Sequence, residues 1–190
     1  MTRWWWIRHG PTHAKAALGW TDLPADLSDA PGVTRLSAAL PDAPILTSDL
    51  TRAVATADAI AGGRCRLGQT AALREGHYGA WEGLPFAEIS ERWPDLCCAY
   101  WSDPGDVAPP GGESWNALAA RVEGEIDARN AQYEDIIVVA HMGVILAALA
   151  KASGLQPARA LSFEIDNLSL TRLDWLAEHG WRIGCVNHRP

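Results

Sequence analysis

Apolar positions along this chain follow two rhythms. Short runs rich in β-branched and aromatic residues recur at Arg3–Arg8, Pro44–Thr47, Arg64–Leu67, Ile136–Ala140, Leu168–Asp174 and Trp181–Asn187, and each has the length of a strand. Ile136–Val139 is apolar at every position, as a central strand buried on both faces must be. Leu168–Asp174 alternates imperfectly, which fits a place nearer the sheet edge. Longer segments between these runs predict helices. Leu50–Ala61 follows Ser48-Asp49, either of which suits an N-cap, and ends at Gly62-Gly63. Glu113–Tyr133, Val144–Ser153 before Gly154, and Pro157–Phe163 with proline in its first turn complete the set. Strands alternating with helices predict an α/β fold, a three-layer sandwich with a mainly parallel central sheet flanked by helices. The stretch 94–112, rich in proline and glycine, predicts a lid-like loop inside a single domain over residues 1–190.

Composition narrows the class. The chain has 190 residues, 48% hydrophobic and 21% charged, which suits one folded domain and excludes disorder. A net charge of −7 argues against a nucleic-acid surface and requires any anion site to be locally positive. Cys65, Cys97, Cys98 and Cys185 show no C-x-x-C spacing and read as free thiols. The apolar run Trp4–Ile7 is too short for a secretory signal. Ile136–Ala150 is interrupted by His141 and Gly143 and falls short of the roughly 20 apolar residues a membrane span needs. These features predict a cytoplasmic protein with no membrane and no nucleic-acid partner.

The chemistry sits at the ends of predicted strands. Trp4-Trp5-Trp6-Ile7 runs into Arg8-His9-Gly10, Ile136–Ala140 runs into His141-Met142-Gly143, and Ile45-Leu46-Thr47-Ser48 is followed by Arg52. In an open parallel sheet the carboxyl ends of the strands share one edge, where ligands bind. Arg8, His9, Arg52 and His141 would therefore converge from distant parts of the chain. Neutral histidine attacks phosphorus, and arginine holds phosphate charge, so the set points to phosphoryl transfer through a histidine. No H-E-x-x-H spacing is present, and two arginines beside the histidines would repel a cation, so no metal and no cofactor are expected.

Four motifs in order resemble the histidine phosphatase superfamily, also called the phosphoglycerate mutase-like family. They are Arg8-His9-Gly10 with Thr12; Ser48-Asp49-Leu50-Thr51-Arg52-Ala53 with Thr56-Ala57; Leu73-Arg74-Glu75 with Tyr78-Gly79-Ala80-Trp81-Glu82-Gly83; and Ala140-His141-Met142-Gly143-Val144. The resemblance implies that His9 is the nucleophile and forms a phosphohistidine. It implies that Arg8, Arg52 and His141 hold the phosphoryl oxygens. Glu75 would give a proton to the leaving alcohol and then activate water. Glu82 lies on the same segment as an alternative; Glu75 is preferred because it follows Leu73-Arg74 as the family pattern requires. Two positions depart from the pattern, with Pro11 where the family often has Glu and Lys15 where it often has Asn. Lys15 then either contacts phosphate or faces solvent.

Further substrate-contact candidates are Thr12, Trp20, His77 and Glu82. Ten tryptophans are many for this length, and Trp20, Trp81, Trp101 and Trp115 flank the motifs or the predicted lid. They serve either as packing or as an aromatic wall for a ring-bearing leaving group. Pro109-Pro110-Gly111-Gly112-Glu113-Ser114, followed by Arg121-Val122, resembles the α-ribazole phosphatase branch, with Ser114 or Glu113 as helix cap. The resemblance thus implies a small-molecule phosphomonoester phosphatase, with α-ribazole-5'-phosphate of cobalamin assembly as a specific substrate. A cofactor-dependent phosphoglycerate mutase and a non-catalytic phosphate-binding relative are the alternatives.

Overall fold

The computed structural model describes residues 1–190. Its center is one six-stranded sheet in the order β3-β2-β4-β1-β5-β6. The strands are β1 (Thr2–Arg8), β2 (Ile45–Ser48), β3 (Arg66–Thr70), β4 (Asp135–Ala140), β5 (Leu170–Leu176) and β6 (Gly180–His188). β3, β2, β4 and β1 run parallel, β5 is antiparallel to β1, and β6 is antiparallel to β5. β4 is central and apolar because both its faces are covered. Ile136, Val138 and Ala140 join Trp4 and Trp6 in one core, while Ile137 and Val139 join Ile7 and Ile45 in the other. The two-residue period of a strand divides one apolar run between two layers.

The first core is closed by α5 (Trp115–Arg129) and α6 (Met142–Ser153), through Leu118, Val122, Val144 and Leu149. The second is closed by α1 (Ala30–Ala39) and α2 (Thr51–Ala59), through Val33, Leu36, Ala53 and Ala57. The remaining helices are α3 (Phe86–Arg92), α4 (Pro94–Ser102) and α7 (Pro157–Ala160). No helix is long and apolar enough to cross a membrane.

The structure corrects several expectations. Residues 94–102 are helix, so the predicted lid keeps only its glycine- and proline-rich second half as loop. Proline misled here because Pro94 opens α4 at its first turn, where the missing N–H costs nothing. α1 was hidden by Pro31 and Gly32, although Asp29 caps it by accepting the Gly32 N–H at 3.0 Å. α2 has no side-chain cap of its own. Instead Asp22, from a distant loop, accepts the Thr51 N–H at 2.9 Å. Ser114, not Glu113, caps α5.

Candidate active site

β2, β4 and β1 are neighbors and parallel, so their carboxyl ends open on one edge. His9 follows β1, His141 follows β4, and Arg52 lies in the first turn of α2 after β2. The two imidazoles come to 4.9 Å between ring centers. Arg8, His9, Thr12, Arg52 and Glu75 border one cleft of about 250 Å³, walled further by Ala14, Ala16, Leu18 and Phe86.

His9 is only 7% exposed. Its Nδ1 lies 2.7 Å from the Gly10 carbonyl oxygen, which can only accept, so Nδ1 carries the proton. Burial lowers its pKa to about 3, against the Gly10 hydrogen bond and with help from Arg52 and Arg8. A neutral ring with its proton on Nδ1 leaves the Nε2 lone pair free, and Nε2 has no partner within the protein. Gly10 itself has no room for a side chain, since a Cβ there would meet Leu27 Cδ2 at 2.6 Å. Its N–H donates to Thr56 Oγ1 at 3.0 Å.

The arginines differ in how they are held. Arg52, 1% exposed, donates from Nη2 to Gly19 O (2.6 Å), from Nη1 to Thr21 O (2.8 Å) and from Nε to His141 Nδ1 (3.3 Å). Arg8 donates from Nη1 to Ile165 O at 2.6 Å, and its buried Nε has no partner at all. An orphaned cationic N–H beside a nucleophilic histidine is a donor awaiting an anion. Burial lowers the pKa of both guanidiniums, and Glu75 is the leading charge that opposes it.

His141 is fully buried and does not border the cleft. Because Arg52 Nε can only donate, His141 Nδ1 accepts and Nε2 donates to Ser48 Oγ at 2.9 Å. Desolvation, with His9 and the arginines nearby, keeps it neutral, far below the usual imidazole range. In this structure the ring accepts from Arg52, and its one N–H is directed to Ser48, so a direct phosphoryl contact would require that N–H to leave Ser48.

Glu75 and Glu82 separate clearly. Glu75 stands in the cleft wall, where its carboxylate accepts the Gly143 N–H (3.1 Å) and the Gly76 N–H (3.0 Å). Glu82 instead accepts from Gly19 N, Trp20 N, Thr21 N, Thr21 Oγ1 and Tyr78 N. Burial would raise its pKa, but the Thr21 and backbone hydrogen bonds outweigh this and hold it below the usual carboxylate range. It ties down the segment whose carbonyls grip Arg52.

The other candidates divide similarly. Thr12 borders the cleft. Lys15 is exposed and borders neither this cleft nor the recess beside Glu75. Trp20 donates from Nε1 to the Glu75 carbonyl at 2.8 Å and packs against His77 at 4.5 Å, so both residues brace Glu75 from outside the cleft. Sequence reasoning placed Ser48, Thr56 and Gly143 in the motifs and Arg121 after the segment 109–114, but gave none of them a role at the site. Arg121 pairs with Glu113 and donates from Nη2 to the Glu75 carbonyl at 2.9 Å. No group of three or more His, Cys, Asp or Glu side chains is placed to hold a metal ion.

A family model of the histidine phosphatase superfamily (branch 1) matches residues 4–189. The chain is 33% identical over 117 residues to a bifunctional protein of Mycobacterium tuberculosis, covering 60% of this chain and 32% of that protein. It therefore spans about a third of the length of the first curated relatives it matches. It is also 33% identical over 168 residues to the glucosyl-3-phosphoglycerate phosphatase of Mycolicibacterium vanbaalenii, covering 78% of this chain and 73% of that one. The solved alpha-ribazole phosphatase of Shigella flexneri matches with a TM-score of 0.84 at 25% identity, over 98% of this chain and 96% of that one.

Proposed function

The chain belongs to the histidine phosphatase superfamily, and from that premise we propose that it hydrolyzes small phosphomonoesters through a phosphohistidine at His9. The observation that carries this is the neutral His9 ring, its proton tied to Gly10, beside the unpartnered Arg8 Nε. The phosphoryl group lies between the Arg8 and Arg52 guanidiniums. His9 Nε2 forms the N–P bond as the ester O–P bond breaks, and protonated Glu75 gives its proton to the leaving oxygen. Glu75, now a carboxylate, takes a proton from water as that water attacks the phosphohistidine. Phosphate leaves and neutral His9 is restored. His141 serves as a positioning residue that fixes Arg52. The arginines supply electrostatic stabilization, the largest contribution a protein makes to phosphoryl transfer.

The finer reading is an α-ribazole-5'-phosphate phosphatase of cobalamin assembly. The segment 109–114 with Arg121-Val122 and the likeness to the Shigella enzyme support it. Turnover of p-nitrophenyl phosphate in the presence of a chelator, with acid-labile phosphate trapped on the wild type and none on His9→Ala, is the expected result. Wild-type turnover no greater than that of His9→Ala would remove the proposal. Parallel incubation with phosphoglycerates and 2,3-bisphosphoglycerate separates hydrolysis from mutase transfer, and α-ribazole-5'-phosphate tests the finer reading.

A further inference from the structure

We infer that the site takes an uncharged leaving alcohol with an apolar, ring-sized body, and that it discriminates against leaving groups bearing a carboxylate. This rests on the phosphatase reading above and adds the substrate class.

Two cavities meet at Glu75, Tyr78 and Met142. The cleft holds the only cations that border either cavity, Arg8 and Arg52, and the phosphoryl group engages both. Beside Glu75 a second recess of about 20 Å³, room for little more than one water, is lined by Tyr100, Trp101, Pro104, Trp115, Leu118 and Leu161, so a ring-sized body stays in the cleft and meets only the mouth of the recess. No lysine, arginine or histidine lines it. The nearby cations are engaged or turned away. Arg74 pairs with Asp49, Arg121 pairs with Glu113, and Lys15 is exposed outside both cavities. A leaving-group carboxylate would therefore lose water without gaining a counter-charge.

An apolar ring meets the opposite conditions. Phe86 borders the cleft yet remains 52% exposed. It meets Trp101 edge-to-face at 6.3 Å between ring centers, and Trp101 meets Tyr100 at 4.9 Å. The exposed Phe86 ring beside the reacting center, backed by part-buried Trp101, offers its surface to a flat ligand, which gains by leaving water. Several relatives carry phosphoglycerate in their names, so the inference separates this chain from them.

The test uses three esters of primary alcohols: 2-phenylethyl phosphate, glycerol 3-phosphate and 3-phosphoglycerate. Phosphate release gives kcat/KM for each. The expected order is phenylethyl, then glycerol, then phosphoglycerate, with at least about tenfold between the first and last. Trp101→Ala and Phe86→Ala should each narrow the phenylethyl-to-glycerol ratio. Phe86→Arg supplies the missing counter-charge at an exposed position and should raise the rate on 3-phosphoglycerate relative to the other two. Equal or better use of 3-phosphoglycerate by the wild type would overturn the inference and leave the phosphatase reading intact. So would ratios that none of the variants moves. Release from none of the three esters would overturn both.

Discussion

Gly143 lies in the first turn of α6, two residues after His141, and a Cβ there would collide with Glu75 Oε1. The glycine is required by close approach: its N–H donates to the carboxylate, and a methyl group would push that carboxylate away. Gly143→Ala should leave a folded protein, since alanine suits the first turn of a helix. Displacing the proton donor by about 1 Å should lower kcat on the order of 100-fold. Turnover of p-nitrophenyl phosphate beside a melting curve checks this, and wild-type kcat would refute it. At this scale the motifs made Arg8, His9, Arg52, Glu75 and His141 legible. The choice of Glu75 over Glu82 became physical only when their hydrogen-bond partners were seen. The hydrogen-bonding state of His141 was not legible, because it depends on Ser48 and Arg52, which the fold brings to it.

Between elements, the loop at 19–21 shows how a distant carboxylate can govern an arginine. Glu82 follows a short 3-10 turn at Gly79–Trp81 and gathers the N–H groups of Gly19, Trp20 and Thr21. The Gly19 and Thr21 carbonyls then hold Arg52. Glu82→Gln keeps the size but removes the charge and one acceptor from that network. It should weaken inhibition by inorganic phosphate by about tenfold, the equivalent of losing one charge-assisted hydrogen bond. A phosphate inhibition constant unchanged from wild type would sink this account of the loop. β4 was legible here because a strand buried on both faces is apolar throughout, as Asp135–Ala140 nearly is, whereas the expected run Arg64–Leu67 shares only two residues with β3, which is not buried on both faces. α3 and α4 were not, because short helices with proline at their entrances resemble loops until packing about Trp81, Ile89 and Cys97 is known.

Across the molecule, two neutral histidines buried in the sheet edge link folding to pH. Both have pKa values depressed by burial, His9 to about 3 from an ordinary 6.5. Below about 6.5 the unfolded chain binds protons that the native rings refuse, so the unfolded state is favored as pH falls toward about 3. Stability is therefore highest above that range, and each histidine approaches a slope of about 1.4 kcal/mol per pH unit below it. Denaturant unfolding at pH 7, 6 and 5 should show a shallower loss for His9→Asn than for wild type. Parallel losses would mean that the ring carries no such penalty.

The chain by itself determined the alternation of strands and helices, the continuous apolar core strand and the residue types that handle phosphate. These are local properties, set by side-chain period and by functional-group chemistry. Tertiary structure alone decided the strand order that sets His9 beside His141, the partners that fix each proton, and the aromatic recess that carries no cation. Those depend on which surfaces meet, and contacts between residues far apart in sequence exist only once the sheet has formed.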